Sequence, residues 1–173
     1  NDMTKADAYN VVSKWIDIEE YIEYQIIQIF IDNRDWPGNN VKLWRDSREG
    51  GKWRWILYDA DYGFAFPKWM IDHHKFNTLD FALATNGPGW PNPPWSTYLF
   101  RKLMENDSFK NRFINHYSDL LNTIFLPENL NDKLESTKKG ITKYIKQHHQ
   151  RWNQGYIDWD YELARMKEFS DSR

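Results

Sequence analysis

Two alternating runs, Val41-Lys42-Leu43-Trp44-Arg45 and Lys52-Trp53-Arg54-Trp55-Ile56-Leu57-Tyr58, flank the turn sequence Asp46-Ser47-Arg48-Glu49-Gly50-Gly51. Period-two alternation on both sides of a Gly-Gly turn predicts an antiparallel hairpin. A hairpin draws its open ends together, with paired strands about 5 Å apart. Whatever precedes residue 41 therefore meets whatever follows residue 58. Those flanks are acids and amides: Asp35, Asn39 and Asn40 on one side, Asp59 and Asp61 on the other.

Elsewhere the chain reads as helix. Thr4 is placed to cap a short helix ending near Trp15, and Asp17 to cap a second. In that second helix Ile18, Tyr21, Ile22, Gln25, Ile26 and Ile29 recur at intervals of three and four. Ile27, Phe30 and Ile31 widen its apolar surface, which predicts a mostly buried helix. Residues 65–95 hold five of the seven prolines and predict loop, with one short helix near Leu79–Ala84. Ser96 or Thr97 then caps Tyr98–Glu105, Ser108 caps Phe109–Ile124, Pro127 opens Glu128–Trp152, and a last helix covers Asp160–Phe169. The expected fold is one mainly α domain over residues 1–173 with a short antiparallel β-hairpin inserted early. No internal repeat, low-complexity tract or linker interrupts it.

Composition excludes several classes. The 173 residues carry a formal net charge of −2, without the basic excess of a nucleic-acid binder. No run approaches the roughly 20 apolar residues of a membrane span. There is no Cys, hence no disulfide or thiolate metal site. Asn1-Asp2-Met3-Thr4 shows no signal-peptide pattern and no initiator Met, the expectation for a piece of a longer protein. Aromatic residues reach 17%, which suits either a core of large rings or a stacking surface.

The acids around the hairpin carry the chemical signal. Asp35, Asn39 or Asn40, Asp59 and Asp61 form a set of hard oxygen ligands suited to Mg²⁺, Mn²⁺ or Ca²⁺. Asp59 and Asp61 share strand parity, so a strand continuing that far would turn both to one face. The plainer reading is that Asp and Asn beside Gly and Pro bond their own backbone in turns. That explains Asn33–Asn40 well, but explains less well two acids directly after Trp55-Ile56-Leu57-Tyr58. Helix, Asp-x-x-x-x-Asn loop, hairpin and acid-bearing turn is also the order of parts around a protein kinase's catalytic loop. Asp35 and Asn40 have its spacing, and Asp61-Tyr62-Gly63 is similar to its D-F-G.

The wording of two segments resembles the CotH family, spore-coat protein H-like atypical kinases of the secretory type. They are Asn33-Arg34-Asp35-Trp36-Pro37-Gly38-Asn39-Asn40-Val41-Lys42-Leu43-Trp44 and Gly51-Lys52-Trp53-Arg54-Trp55-Ile56-Leu57-Tyr58-Asp59-Ala60-Asp61-Tyr62-Gly63-Phe64. Trp95-Ser96-Thr97-Tyr98-Leu99-Phe100 through Asn111-Arg112-Phe113 looks like that family's helical part. The resemblance implies transfer of phosphate from ATP, with Mg²⁺ or Mn²⁺, to Ser/Thr of a protein acceptor such as a coat or surface protein. By position Asp35 matches the catalytic Asp, Asn40 an amide beside the metal, and Asp59 the metal-binding Asp, with Asp61 a second ligand. It implies a bacterial protein exported to the spore coat or cell surface. No Gly-rich loop or strand run precedes residue 33, so the chain resembles a kinase C-lobe lacking the ATP-gripping N-lobe, and the isolated piece is expected to be nearly inert.

Rival readings come from other classes. Trp69, Trp90 and Trp95 can make a glycan-stacking platform, with Ca²⁺ on Asp59 and Asp61; the favoured alternative has these rings sealing the core under the proline loops. A structural coat or surface protein with an inactive kinase-like fold is another. A glycosidase using Asp35 and Asp59 is weaker, because it needs a set carboxylate separation and one raised pKa. His73-His74 and His148-His149 read as surface pairs, and Lys138, Lys139, Lys143 and Lys146 as a solvated face. Trp44, Trp53 and Trp55 read as core, and Arg34 as holding the catalytic loop by pairing with an acid.

Overall fold

Isoleucines and tyrosines spaced at three and four through residues 18–30 give a helix with little polar surface, and the molecule is built around it. The computed structural model describes residues 2–66, 73–87, 89–154 and 158–173. The elements in order are α1 (Ala6–Trp15), α2 (Ile18–Phe30), β1 (Lys42–Arg45), β2 (Trp53–Ile56), α3 (Thr78–Leu83), α4 (Tyr98–Met104), α5 (Asp107–Leu121), α6 (Pro127–Trp152) and α7 (Trp159–Ser172), with a 3₁₀ turn at His73–Lys75. This is a mainly α fold with one two-stranded antiparallel sheet.

Helix α2 packs against β2, α3 and α5. Ile22 and Ile26 are completely buried, beside Tyr21, Trp36, Phe100, Leu103, Phe109 and Phe113. Truncating either isoleucine to Ala would cost about 2–5 kcal/mol through lost burial and the cavity left behind. The hairpin pairs Lys42 with Ile56, Leu43 with Trp55, Trp44 with Arg54 and Arg45 with Trp53. It is seated by Trp55, whose ring lies 4.4 Å from that of Tyr21 and whose main-chain N–H donates to Glu20. Trp44 and Trp53 do not join the core; they are 46% and 40% exposed, stacked with Arg54 and Arg45. Cross-strand partners share a face, and these two pairs each set a guanidinium against an indole.

Several helix ends differ from the sequence expectation. Lys5, not Thr4, is the N-cap of α1, and the Thr4 hydroxyl instead bonds Asp2. Asp17 does occupy the N-cap of α2, but its carboxylate pairs with Arg54 rather than with the helix amides. Asn106, not Ser108, caps α5, accepting from Phe109 N, and the helix starts two residues earlier than expected. Thr97 precedes α4 but donates its hydroxyl to Ala84 O. Thr4, Asp17 and Thr97 each turn the side chain that pattern alone assigned to a cap toward another partner.

Candidate functional site

The loop between α2 and β1 is held from below by α2. Asn33 is completely buried; its amide nitrogen donates to Gln28 at 2.8 Å, and its amide oxygen accepts from Asp35 N at 3.0 Å. Asp35 is thereby fixed at the loop's base, 8% exposed. Its Oδ1 accepts from Asn39 at 2.8 Å and its Oδ2 from Asn40 at 2.7 Å. A carboxylate oxygen has two lone pairs, so each keeps acceptor capacity for a further hydroxyl. The loop's outer side rests on the proline segment, where Gly38 N donates to Pro91 O at 2.6 Å.

The hairpin joins the two acid patches. The Asn40 nitrogen lies 3.5 Å from Asp59 O across a sequence separation of 19. With that nitrogen turned to Asp35 and Asp59, the Asn40 amide oxygen is left as the group's acceptor. Asn40 and Asp59 both sit in left-handed backbone, at φ 53° and 51°, a region Asn and Asp tolerate better than other non-glycine residues. The parity expectation for Asp59 and Asp61 does not hold, because β2 ends at Ile56 and the left-handed Asp59 breaks the alternation. The two acids meet nonetheless. Burial, then the negative charge of Asp59, and further the charge of Asp35 push the Asp61 carboxyl above its usual range.

These residues fit a divalent cation by the chemistry of their donors: two carboxylates and an amide oxygen, all hard. Among the described residues no group of three or more His, Cys, Asp or Glu side chains is placed to hold a metal ion.

A second network lies beneath Asp35, and sequence reasoning found only its outer member. Arg34 does pair with an acid, and the acid is Asp32. Asp32 is completely buried, at φ 53°, and takes Nε and Nη2 of Arg34 at 3.0 and 2.9 Å. The Thr78 hydroxyl donates to its other oxygen at 2.7 Å. Nδ1 of His73 lies 2.7 Å from Oδ2, though out of line for a well-formed hydrogen bond. Burial alone would raise the Asp32 carboxyl; His73, Arg34 and Thr78 outweigh it and hold the group below the usual range. His73 is thus an interior residue, 2% exposed, which corrects its surface placement. The Arg34 guanidinium also covers the Phe76 ring at 3.6 Å. The sequence signal was Asp32-Asn33-Arg34, an acid two residues before a base at a helix end, which gives a local fork once the chain turns.

The remaining sequence candidates fall elsewhere. Trp90 and Trp95 are 62% and 66% exposed, so these two rings do not seal the core. Trp69 lies outside the described residues. His148 is exposed and meets Gln154, and the lysine face of α6 is solvated, as expected. No described helix is long and apolar enough to cross a membrane.

A buried helix feeding an Asp-x-x-x-x-Asn loop, a hairpin that returns to that Asn, and an acid-bearing turn beyond it follow the order of parts around a protein kinase's catalytic loop. The family comparison gives the particular one: residues 1–173, the whole chain, match the model described as CotH kinase protein, and the chain belongs to that family. No curated protein and no solved structure matched it. Membership implies in general terms a nucleotide with a divalent metal and a protein substrate.

Proposed function

We propose that this chain carries the acceptor- and metal-binding half, the C-lobe, of a protein kinase that moves phosphate from ATP to Ser or Thr of a protein. The observation that carries the reading is the closure of the hairpin, which sets the amide of Asn40 between the Asp35 carboxylate and Asp59. Asp35 orients the acceptor hydroxyl and takes its proton as the new P–O bond forms and the bond from the γ-phosphorus to the departing ADP breaks. Asn40 and Asp59 hold Mg²⁺ or Mn²⁺, with Asp61 assisting; the bound metal supplies neutralisation of phosphate charge. Arg34, fixed on Asp32 and Phe76, keeps the loop's base rigid. A coat or surface protein as acceptor, and export to a spore or cell surface, accompany this reading through the family.

The experiment compares Asp35→Ala and Asp59→Ala in the full-length protein. Loss of transfer with intact Mg²⁺·ATP binding in the first, and loss of both in the second, supports these roles. Equal activity in Asp35→Ala and the parent ends them.

One observation favours a second reading, a glycan-binding surface protein with a kinase-like fold. Trp90 and Trp95 present rings that nothing in the core requires, and aromatic rings are good sugar platforms. Retention on a polysaccharide that Trp90→Ala abolishes would support it, and loss of that retention with a chelator would assign Ca²⁺ to Asp59 and Asp61.

A further inference from the structure

Arg173, at the end of α7, reaches across 143 positions of sequence to the base of the Asp35 loop. Its Nε donates to Phe30 O at 3.0 Å and Nη2 to Ile29 O at 2.8 Å, both carbonyls of the last turn of α2. The Ile29 carbonyl also accepts from Asp32 N at 3.2 Å, and the negative end of the helix dipole favours a cation there. Nη1 donates to His74 O at 3.1 Å and Phe76 O at 2.9 Å, and Nη2 also to the Thr78 hydroxyl at 3.2 Å. A guanidinium has five N–H donors, and here there are five acceptors from two stretches of chain, residues 29–30 and 74–78.

The hydrogen-bond directions make this a chain rather than a collection. Thr78 has one hydroxyl hydrogen, and donates it to Asp32 Oδ1 at 2.7 Å, so toward Arg173 it can only accept. Asp32 in turn receives the fork of Arg34, the residue directly before Asp35. The Phe76 ring under Arg34 belongs to a residue whose carbonyl Arg173 holds. Arg173 thus fixes both walls of the slot that contains Arg34. Lysine cannot replace it, since an ammonium offers three donors from one point and no planar fork.

We propose that Arg173 is a positioning residue for phosphoryl transfer, setting the Asp35 loop through Thr78, Asp32 and Arg34. The inference rests on the kinase reading for its effect on rate, and on the structure alone for its effect on the loop.

The test uses four variants of the full-length protein: Arg173→Lys, Arg173→Ala, Thr78→Val and Thr78→Ser. Transfer from Mg²⁺·ATP to a Ser/Thr peptide gives kcat and KM, nucleotide titration gives Kd, and amide hydrogen exchange reports residues 32–40. In Arg173→Lys and Thr78→Val, kcat should fall by about 10²-fold, the cost of displacing a reacting group by roughly an ångström. Nucleotide Kd should hold, and exchange at 32–40 should quicken while α5 stays protected. Thr78→Ser, which keeps the hydroxyl, should restore both rate and protection. Unchanged exchange at 32–40 in both arginine variants overturns the inference. So does a rate loss that merely tracks the fraction unfolded, read in parallel from Tm. If Asp35→Ala transfers phosphate normally, the kinase roles fall instead, and the exchange readout still decides whether Arg173 sets the loop.

Discussion

The side-chain nitrogen of Asn40 lies 2.7 Å from the carboxylate of Asp35, and the same nitrogen faces the main-chain oxygen of Asp59. One amide therefore spans the gap between the loop before the hairpin and the turn after it. Asp35 has a second amide, Asn39, on its other oxygen. The carboxylate cannot swing without giving up both bonds.

Replacing Asp35 separates orientation from charge. Asp35→Asn keeps the volume but turns one acceptor oxygen into an N–H₂ donor facing the amide of Asn39 or Asn40. Transfer should fall by about 10²- to 10⁴-fold, the range for loss of a positioned base, while Mg²⁺·ATP affinity stays near that of the parent. Single-turnover transfer beside a nucleotide titration reads both. A variant that loses nucleotide affinity and keeps its single-turnover rate would reverse the roles given to Asp35 and Asp59.

The pH dependence of cation binding follows from Asp61. Burial first, and the charge of Asp59 second, lift its carboxyl above the usual carboxylate range. A cation competes with that proton, so Mg²⁺ or Mn²⁺ affinity should rise with pH through the elevated midpoint. Without metal the sign for folding is the reverse: a raised acid contributes stability below its unfolded pKa that is lost as pH rises through the folded one. Asp59→Asn should move the Asp61 midpoint down without returning it fully, because burial remains. Carboxyl NMR titration checks this, and an unmoved midpoint would mean that the two acids are not coupled.

The hairpin and α2 were legible because each depends on a period that is local in sequence. The meeting of Asn40 with Asp59 was legible too, since an antiparallel pair imposes it whatever the side chains. The fate of individual polar groups was not. Asp17 turned to Arg54, and Thr97 to Ala84 O, because those partners arrive from distant segments. His73 is interior because a fully buried Asp32 needed another polar neighbour, and no spacing reveals a contact between positions 32 and 73. Trp90 and Trp95 show the converse: large rings among prolines suggested a sealed core, yet the rings that pack around α2 come from Trp36, Phe100, Phe109 and Phe113.

Asp32 should make the protein acid-sensitive. Its folded carboxyl is held below the ordinary value against burial by His73, Arg34 and Thr78. The stability it contributes is present above the ordinary pKa of the unfolded chain and drains as pH falls through the lower folded value. Asp32→Asn leaves the largely buried Arg34 without its partner, at a cost of about 3–5 kcal/mol at neutral pH. Urea unfolding at pH 7 and near pH 3 measures the two conditions. The gap between parent and variant should narrow at the acid end, and an equal gap at both would show that the Asp32 charge is not what matters.

Glycine substitutions distinguish the loop that must stay close-packed from positions that are glycine without need. A Cβ at Gly38 would come within 2.9 Å of Pro91 O and strike the Pro93 ring, forcing apart the contact that seats the outer side of the Asp35 loop. Gly38→Ala should cost about 1–3 kcal/mol, as overpacking does, and should lower transfer because Asn39 and Asn40 move with the loop. Gly140 lies inside α6, where a Cβ would meet nothing within 4 Å. There Ala should stabilise by about 0.5–1 kcal/mol through helix propensity and leave transfer unchanged. Thermal unfolding and turnover of the two variants side by side give the contrast. A harmless Gly38→Ala would mean that the proline segment does not brace the loop, and a destabilising Gly140→Ala would mean that another surface covers α6 at that point.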